Sequence, residues 1–221
     1  MKRAIVVGAS GGIGAALVGA LRSGGWDVVA LSRRGQGFDV TDEASVAAPL
    51  AALGGAFDLV ICATGGLEIG AHRPEKSLRA LDPAAFAAQF ALNAMGPLLV
   101  LKHALRLMPR DRASHFVALS ARVGSIGDNH LGGWYSYRAA KAALNQLIHT
   151  AAIEIARSHP MAVVASLHPG TVATALTDAY RGTHASLTPD EAAGHLLSVI
   201  AQLTPAQSGG FYDWQGKEVA W

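Results

Sequence analysis

The chain has 221 residues, of which 51% are hydrophobic and 15% charged, with a formal net charge of +2. This composition excludes a disordered protein, and the scattered lysines and arginines form no basic stretch of the kind that binds nucleic acid or an anionic membrane. No linker-like segment divides the chain. We therefore expect one well-buried domain and a small-molecule partner.

The cysteine, the histidines and the N-terminus limit the location and the cofactors. Cys62 is the only cysteine, which excludes an internal disulfide and fits a reducing compartment. We expect neither a signal peptide nor a membrane-spanning segment, and therefore a cytoplasmic protein. The nine histidines show no HExxH or paired Cys/His spacing, so no metal site is predicted.

The first elements in chain order are a strand and a helix. RAIVVG is a short β-branched run at residues 3–8, and AALVGALRSGG follows at helical spacing until Gly24 and Gly25 end it. Four more strands are predicted in the apolar runs DVVALS, FDLVICAT, SHFVALS and MAVVASLHPG.

Long alanine- and leucine-rich segments between the later strands predict helices. One spans residues 82–108, with Asp82 as N-cap and Pro83 at the first helical position, and another spans 136–159, ahead of Pro160. Apolar strands that alternate with helices indicate a parallel sheet covered on both faces. The predicted class is therefore doubly wound α/β, whose ligands bind at the carboxyl ends of the strands.

The segment GASGGIG, residues 8–14, lies between the first strand and the first helix, where a dinucleotide-binding loop belongs. Its glycines allow a tight turn and let a pyrophosphate approach the N–H groups at the helix start. An ordinary strand-to-helix turn is the alternative, and a P-loop is excluded because no Gly-Lys-Ser/Thr follows. The candidate cofactor contacts here are Gly8, Ser10, Gly11, Gly12, Ile13 and Gly14.

The second strand ends in LSRRG, and the residues at this point face the adenosine ribose of a dinucleotide. An acidic residue would bind the 2′-hydroxyl of NAD, whereas Arg33 and Arg34, after Ser32, pair with a 2′-phosphate. NADP(H) is therefore predicted in preference to NAD(H), with two solvated arginines as the alternative. Asp39 and Val40 would then lie near the adenine.

With these features the chain resembles the short-chain dehydrogenase/reductase family over nearly its whole length. The glycine loop has the family's Gly-x-x-x-Gly-x-Gly spacing, and Tyr137 with Lys141 matches its Tyr-x-x-x-Lys element. Tyr135 has Ala139 four residues on, so the spacing selects Tyr137. Within the family, the chain is most similar to the C-factor and sniffer-type carbonyl reductase group.

Further family positions follow from the same resemblance, which implies a Rossmann-type sheet. Asn93 matches the family's asparagine, and ICATGG stands where the family has an Asn-Ala-Gly turn. The Pro-Gly-x-x-x-Thr element after the sixth family strand is also present. The cofactor contacts implied by these segments are Ala63, Thr64, Gly65, Pro169, Gly170, Val172 and Thr174.

The resemblance implies carbonyl or alcohol oxidoreduction. Tyr137 would be the general acid or base, Lys141 would lower the pKa of its phenol and bind the nicotinamide ribose, and Asn93 would support a proton-relaying water. Without a cofactor, the first two residues would be a half-buried aromatic and a solvated lysine. The resemblance also implies a homodimer or homotetramer, and Arg138 is interpreted as a surface or subunit-contact residue.

Two segments depart from the pattern or leave it open. The family's catalytic serine is replaced by Ala121, so Ser120 or Ser125 would have to take its role, and the sequence leaves both open. Residues 175–189 would form the substrate lid, with Leu176 and Tyr180 as candidate pocket residues. The alternative function is a dinucleotide-binding regulatory or signalling protein with little turnover, which the alanine favours.

Overall fold

The computed structural model describes residues 1–175, 178 and 186–221. Six strands form one sheet, and all of their pairings are parallel. The strands are β1 Arg3–Val7, β2 Asp27–Leu31, β3 Leu59–Cys62, β4 Ser114–Leu119, β5 Ala162–His168 and β6 Phe211–Asp213. Their order in the sheet is β2-β1-β3-β4-β5-β6.

Helices connect the strands. They are α1 Gly12–Ser23, α2 Arg33–Gln36, α3 Glu43–Ala52, α4 Pro83–Phe90, α5 Gly96–Ala104, α6 Tyr135–Ile155 and α7 Pro189–Gln202. A π-helical turn, Ala91–Met95, joins α4 to α5, and short 3-10 turns lie at Leu78–Ala80, Leu105–Leu107, Arg122–Gly124 and Pro205–Gln207. The predicted N-cap of α4 is present, because the Asp82 carboxylate accepts a hydrogen bond of 2.8 Å from the Ala84 N–H.

The core lies on both faces of the sheet. Strand residues such as Ile5 and Phe116 pack against α3, α5 and α6 on one face. Their neighbours Val6 and Val117 pack against α1 and α7 on the other face. Because successive residues of a strand point to opposite faces, strands covered on both sides are apolar throughout. The prediction of a single-domain, doubly wound parallel sheet is confirmed.

The strand order creates a crevice at the carboxyl edge of the sheet. From β1 the chain crosses to β2 on one side, whereas β3 pairs with β1 on the other side. The connections after β1 and β3 therefore leave in opposite directions, and in open α/β sheets this is where ligands bind.

The elements absent from the sequence-based prediction include β6, α3 and α7. The strand β6 has only three residues, too few for a periodic signal, and it is fixed by pairing with β5. The helix α3 contains Pro49 within its span, which masks its pattern. The helix α7 begins with a capping box in which Thr188 and Glu191 exchange hydrogen bonds, a start signal that the prediction missed.

One helical stretch of the described residues passes the length and composition test for a membrane span, which the sequence analysis did not expect. The helical stretch Pro83–Leu107 has 25 residues and is apolar enough to qualify. Part of this stretch, including Val100 and Leu101, is buried in the core beside the sheet. This packing explains the hydrophobicity of the segment as that of a core helix.

Candidate active site

A cavity of about 370 Å³ occupies the crevice at the carboxyl edge of the sheet. The segments that follow β1, β2 and β3 line most of this cavity, as a dinucleotide site in this topology requires. Its lining residues are Gly8, Ser10, Gly11, Gly12, Arg33, Arg34, Phe38, Asp39, Val40, Ala63, Thr64, Gly65, Leu92 and Ala175. Most of the residues that the sequence assigns to the cofactor are therefore together in one place.

The glycine loop fits tightly between β1 and β3. Gly8 has a φ of 87°, and a Cβ at this position would lie 2.7 Å from the Ala63 carbonyl oxygen. A Cβ on Gly14 would collide with the Gly8 carbonyl oxygen. Glycine is therefore required at both positions, and the bare backbone of the loop faces the cavity at the start of α1.

The two arginines lie at the adenosine end of the cavity. Ser32 caps α2 by accepting a hydrogen bond of 3.1 Å from the Gly35 N–H, and Arg33 and Arg34 are exposed in the first turn. Hydrogen bonds from the Thr41 N–H and hydroxyl lower the pKa of the Asp39 carboxyl, and the Arg33 charge adds to this effect. The cavity therefore carries an ionised carboxylate beside two exposed guanidinium groups.

The segment after β5 runs beside the glycine loop. Gly170 has a φ of 82° and packs against Leu187 and the Trp214 ring, and Val172 forms a parallel bridge with Leu187. A Cβ on Gly12 would lie 2.8 Å from the Thr174 Cγ2 atom. Thr174 thus lies against the glycine loop, whereas the residues assigned to the cofactor that do not line the cavity are Ile13, Gly14, Ser32, Pro169, Gly170, Val172 and Thr174. Most of the expected lid, including Leu176 and Tyr180, lies outside the described residues.

Tyr137 and Lys141 are both buried where α6 meets the carboxyl edge of the sheet. The Lys141 Nζ atom donates a hydrogen bond of 2.8 Å to the Leu119 carbonyl and lies 5.9 Å from the centre of the Tyr137 ring. Burial raises the pKa of Tyr137 to about 12, which is the opposite of the lowering by Lys141 that the resemblance implied. Burial lowers the pKa of Lys141 to about 8. The alternative of a solvated helix lysine does not hold for this site.

Gly65 joins this buried pair to the cavity. It lines the cavity, and a Cβ at its position would lie 3.1 Å from the Asn93 Oδ1 atom and 3.5 Å from the Lys141 Nζ atom. A ligand that passes over Gly65 therefore reaches the ammonium group and the asparagine. The predicted tyrosine, lysine and asparagine meet at one end of the predicted dinucleotide cavity.

Asn93 lies in the π-helical turn between α4 and α5, a distortion that is frequent at functional sites. Its amide nitrogen donates hydrogen bonds of 2.9 Å to the Gly66 carbonyl and 2.6 Å to the Gln89 Oε1 atom, and its oxygen accepts from the Gly66 N–H. Gln89 in turn donates to the Leu67 carbonyl. The asparagine is thus held rigidly against the loop after β3.

The two candidate serines have different surroundings. The Ser120 hydroxyl donates a hydrogen bond of 2.7 Å to the Asn145 Oδ1 atom, so its proton is already used under α6. The Ser125 oxygen accepts from the Asp128 N–H at 3.1 Å, and its own proton has no acceptor within the described residues. Ala121, at the family's serine position, is partly exposed just after β4.

Arg138, interpreted from the sequence as a surface or subunit-contact residue, is partly exposed and has hydrogen-bond partners within its own chain. Its guanidinium group donates to three backbone carbonyls of this chain, those of Val123, Gly132 and Gly133. An arginine beside the catalytic pattern YSYRAAK gives no sequence signal for such contacts, because all of its acceptors are main-chain atoms.

Two further buried polar residues near the site were missed. Glu75 is 4% exposed, and its carboxylate accepts a hydrogen bond of 3.2 Å from the Ser136 N–H in the first turn of α6. Gln89, which binds Asn93, is also buried. A glutamine inside the apolar run PAAFAAQFALN was a usable signal, whereas Glu75 lies in a polar coil and gave none. Within residues 1–175, 178 and 186–221, no three metal-binding side chains lie together.

Comparison with known proteins places the chain in a family. The family model described as enoyl-(acyl carrier protein) reductase matches residues 30–204. The 1-hydroxy-2-glutathionyl-2-methyl-3-butene dehydrogenase of Rhodococcus sp. (strain AD45) is 34% identical over the full length of both chains. The C-signal protein of Myxococcus xanthus is 35% identical over 64% of this chain and 81% of its own length.

Solved structures agree with these relatives. A short-chain dehydrogenase/reductase from Burkholderia multivorans with bound NADP superposes with a TM-score of 0.84 at 28% identity, covering 100% of this chain and 99% of that chain. The NADPH-bound carbonyl reductase from chicken fatty liver gives a TM-score of 0.83 at 25% identity and the same coverage. This chain therefore belongs to the short-chain dehydrogenase/reductase family of oxidoreductases.

Proposed function

We propose that the protein is an NADP(H)-dependent reductase of carbonyl compounds that also oxidises the corresponding alcohols. The observation that carries the proposal is the position of Gly65, which lines the dinucleotide cavity and lies against Lys141 and Asn93. The NADP(H)-bound structural neighbours and the carbonyl reductase among them support the same cofactor and reaction class.

The residues present fit NADP(H). The bare glycine backbone at the start of α1 can hold the pyrophosphate, and the exposed Arg33 and Arg34 can pair with the 2′-phosphate. Asp39 and Val40 would border the adenine, and the segment from Pro169 to Thr174 would hold the nicotinamide end. When bound, the cofactor supplies a hydride for the carbonyl carbon.

Tyr137 is the proposed donor of the proton that the carbonyl oxygen receives. Its buried phenol, with a pKa of about 12, stays protonated at neutral pH and would resist giving up its proton without help. The Lys141 ammonium group supplies that help by stabilising the phenolate that forms, because both groups lie in the same water-poor region. Asn93, fixed by Gly66 and Gln89, would support the proton-relaying water through which Tyr137 regains its proton.

The substrate oxygen needs a second donor, and we assign this role to Ser125 rather than Ser120. The Ser120 proton is donated to Asn145, whereas the Ser125 proton is uncommitted among the described residues. Ser125 also follows the turn Arg122–Gly124, whose glycine packs against Lys141.

The proposed setting is a cytoplasmic homodimer or homotetramer. Met95 and Ile153, on the helical segments around Asn93 and Lys141, expose more than half of their side chains. Light scattering after size-exclusion chromatography measures this directly, and a monomer at micromolar concentration contradicts the assembly.

A fluorescence titration with NADPH and NADH, followed by a screen of aldehydes, diketones and quinones, tests the function. We expect tighter binding of NADPH and turnover of at least one carbonyl class that Tyr137→Phe abolishes. The second candidate, a dinucleotide-binding signalling protein, is favoured by Ala121 and by the C-signal relative. Tight NADPH binding without turnover of any carbonyl would support it and contradict the reductase.

A further inference from the structure

An unusual turn precedes the helix that carries Tyr137. Gly132, Gly133 and Trp134 have φ values of 65°, 68° and 52°, so three successive residues adopt the left-handed conformation. Trp134 is the only residue other than glycine with a positive φ in the described part of the chain. A tryptophan in this conformation is strained, and such strain persists only where the surroundings hold it.

Arg138 is the first of the groups that hold the turn. Its Nε atom donates to the Gly133 carbonyl at 3.0 Å, and one terminal nitrogen donates to the Gly132 carbonyl at 3.2 Å. The other terminal nitrogen donates to the Val123 carbonyl at 3.2 Å. A rigid guanidinium can satisfy three carbonyls at once, which a lysine ammonium on a flexible stem does not reproduce.

Glu75 is the second group. Its backbone carbonyl accepts the Trp134 N–H, and its carboxylate accepts the Ser136 N–H. The Glu75 carboxylate thus caps the start of α6, and a negative charge at a helix N-terminus is favourable. The other oxygen of this buried carboxylate has no hydrogen-bond partner among the described residues, and an unpartnered buried oxygen destabilises the fold.

These contacts converge on the catalytic pair. Tyr137 lies in the chain between Ser136, which Glu75 binds, and Arg138. Its ring packs edge to face against the Trp134 ring, with the two ring centres 6.3 Å apart. Arg138 also binds the turn Arg122–Gly124, where a Cβ on Gly124 would lie 2.8 Å from the Lys141 Cβ atom. The loops after β3 and β4 are therefore fastened to the same turn of α6.

We propose that Arg138 and Glu75 are positioning residues that fix the Tyr137 hydroxyl for proton transfer by holding the left-handed turn and the start of α6. The proposal rests on the proposed reductase function. Neither Arg138 nor Glu75 is proposed to touch the substrate, because both act through the position of Tyr137.

The main test is Arg138→Lys, which keeps the positive charge and loses the planar guanidinium group that binds three carbonyls. We expect kcat for the best carbonyl substrate to fall by about 10- to 100-fold, the cost of misplacing a reacting group. The Kd for NADPH should change less than about twofold, because the cavity lies at the other end of the site. An unchanged kcat would overturn the proposal.

Arg106→Lys is the matched control. Arg106 also donates to backbone carbonyls, those of Leu50 and Leu53, but at the carboxyl end of α3. A similar loss of thermal stability in both variants with a fall in kcat only for Arg138→Lys supports positioning. Equal falls in kcat would reduce Arg138 to a general structural role and overturn the proposal.

Glu75 supplies an independent pair of variants. Glu75→Gln keeps an oxygen acceptor for the Ser136 N–H and should retain most of the wild-type kcat. Glu75→Ala removes the acceptor, and its kcat should fall, as in Arg138→Lys. Loss of activity in Glu75→Gln equal to that in Glu75→Ala would contradict the capping role.

Hydrogen exchange separates failure of this inference from failure of the proposed function. We expect faster amide exchange across residues 132–140 in Arg138→Lys and Glu75→Ala than in the wild type or Arg106→Lys, whether or not a carbonyl substrate is known. Unchanged exchange in this segment overturns the inference, and wild-type protein without turnover overturns the function alone.

Discussion

The two ends of the candidate site are built in different ways. The dinucleotide end is an open cavity made of backbone and exposed side chains that follow β1, β2 and β3 directly. The proposed catalytic end is buried, and Lys141 and Asn93 are held there by hydrogen bonds to Leu119 and Gly66, which lie 22 and 27 residues away in the chain. Under the proposed function, binding at the first end would depend on local sequence, whereas chemistry at the second would depend on long-range packing.

This difference predicts that substitutions at the two ends have separable effects. Changes at the exposed end should alter affinity and leave kcat, and changes at the buried end should alter kcat and leave affinity. The following predictions test that separation.

The largest effect is expected for Tyr137→Phe. Removal of the proton donor should lower kcat for carbonyl reduction by about 100- to 10,000-fold, the range for general acid catalysis, with an unchanged Kd for NADPH. Steady-state kinetics and a fluorescence titration measure both. A variant that keeps more than a third of the wild-type kcat would show that another group donates the proton.

The double variant Arg33→Ala, Arg34→Ala should weaken NADPH binding by about 10- to 100-fold, since hydrogen bonds to a charged group contribute about 1.5–3 kcal/mol each. NADH lacks the phosphate and should lose less than about threefold. Arg157→Ala, an exposed arginine on another surface, is the control. Equal losses for both cofactors would contradict the 2′-phosphate assignment.

The pH dependence of reduction should report Lys141. Because the proposed mechanism needs the ammonium form, kcat/KM should be constant below the lysine pKa of about 8 and fall up to tenfold per pH unit above it. The Tyr137 phenol, with its higher pKa, stays protonated through this range. A flat profile from pH 6.5 to 9.5, with saturating NADPH, would rule out this role.

Substitution of the two serines should have smaller effects, on activity for one serine and on stability for the other. Ser125→Ala should lower kcat/KM by about tenfold through loss of one hydrogen bond to the substrate, whereas Ser120→Ala should change mainly stability. Ala121→Ser, at the partly exposed family position, should restore activity to the Ser125→Ala variant. The reverse order of the two alanine variants would assign the role to Ser120.

The smallest effect concerns stability. The folded-state pKa of Lys141, about 8, lies below its value of 10.5 in the unfolded chain, so the buried ammonium destabilises the fold. That cost is fully present below pH 8 and disappears as pH rises to 10.5. Lys141→Met should therefore raise the free energy of unfolding at pH 7 by about 1–3 kcal/mol, less at pH 10. Denaturant unfolding at both pH values checks the sign, and a gain that is larger at pH 10 contradicts it.

Local patterns explain why much of the fold was predictable. Apolar runs such as that of β1, covered on both faces, could only be central strands, and Asp82 with Pro83 marked the start of α4. The short strand β6 carried no pattern of its own, because pairing with β5 and packing create it.

In the candidate site too, features that depend on local sequence were predictable and features that depend on long-range contacts were not. The glycine loop and the arginines were predictable because their roles depend on neighbouring residues and on backbone shape. Glu75 and Arg138 were not, because their partners are main-chain groups brought together by folding. Conformations such as the left-handed Trp134 leave no trace in composition or periodicity.

The central claim is that the buried tyrosine and the dinucleotide cavity act together on a carbonyl group. NADPH that carries deuterium at the transferred C4 position, incubated with a reducible carbonyl, tests it most directly. The account predicts an alcohol with one deuterium on the former carbonyl carbon from the wild type, and at least 100-fold less from Tyr137→Phe. Tight NADPH binding without any labelled alcohol across aldehydes, diketones and quinones would contradict it.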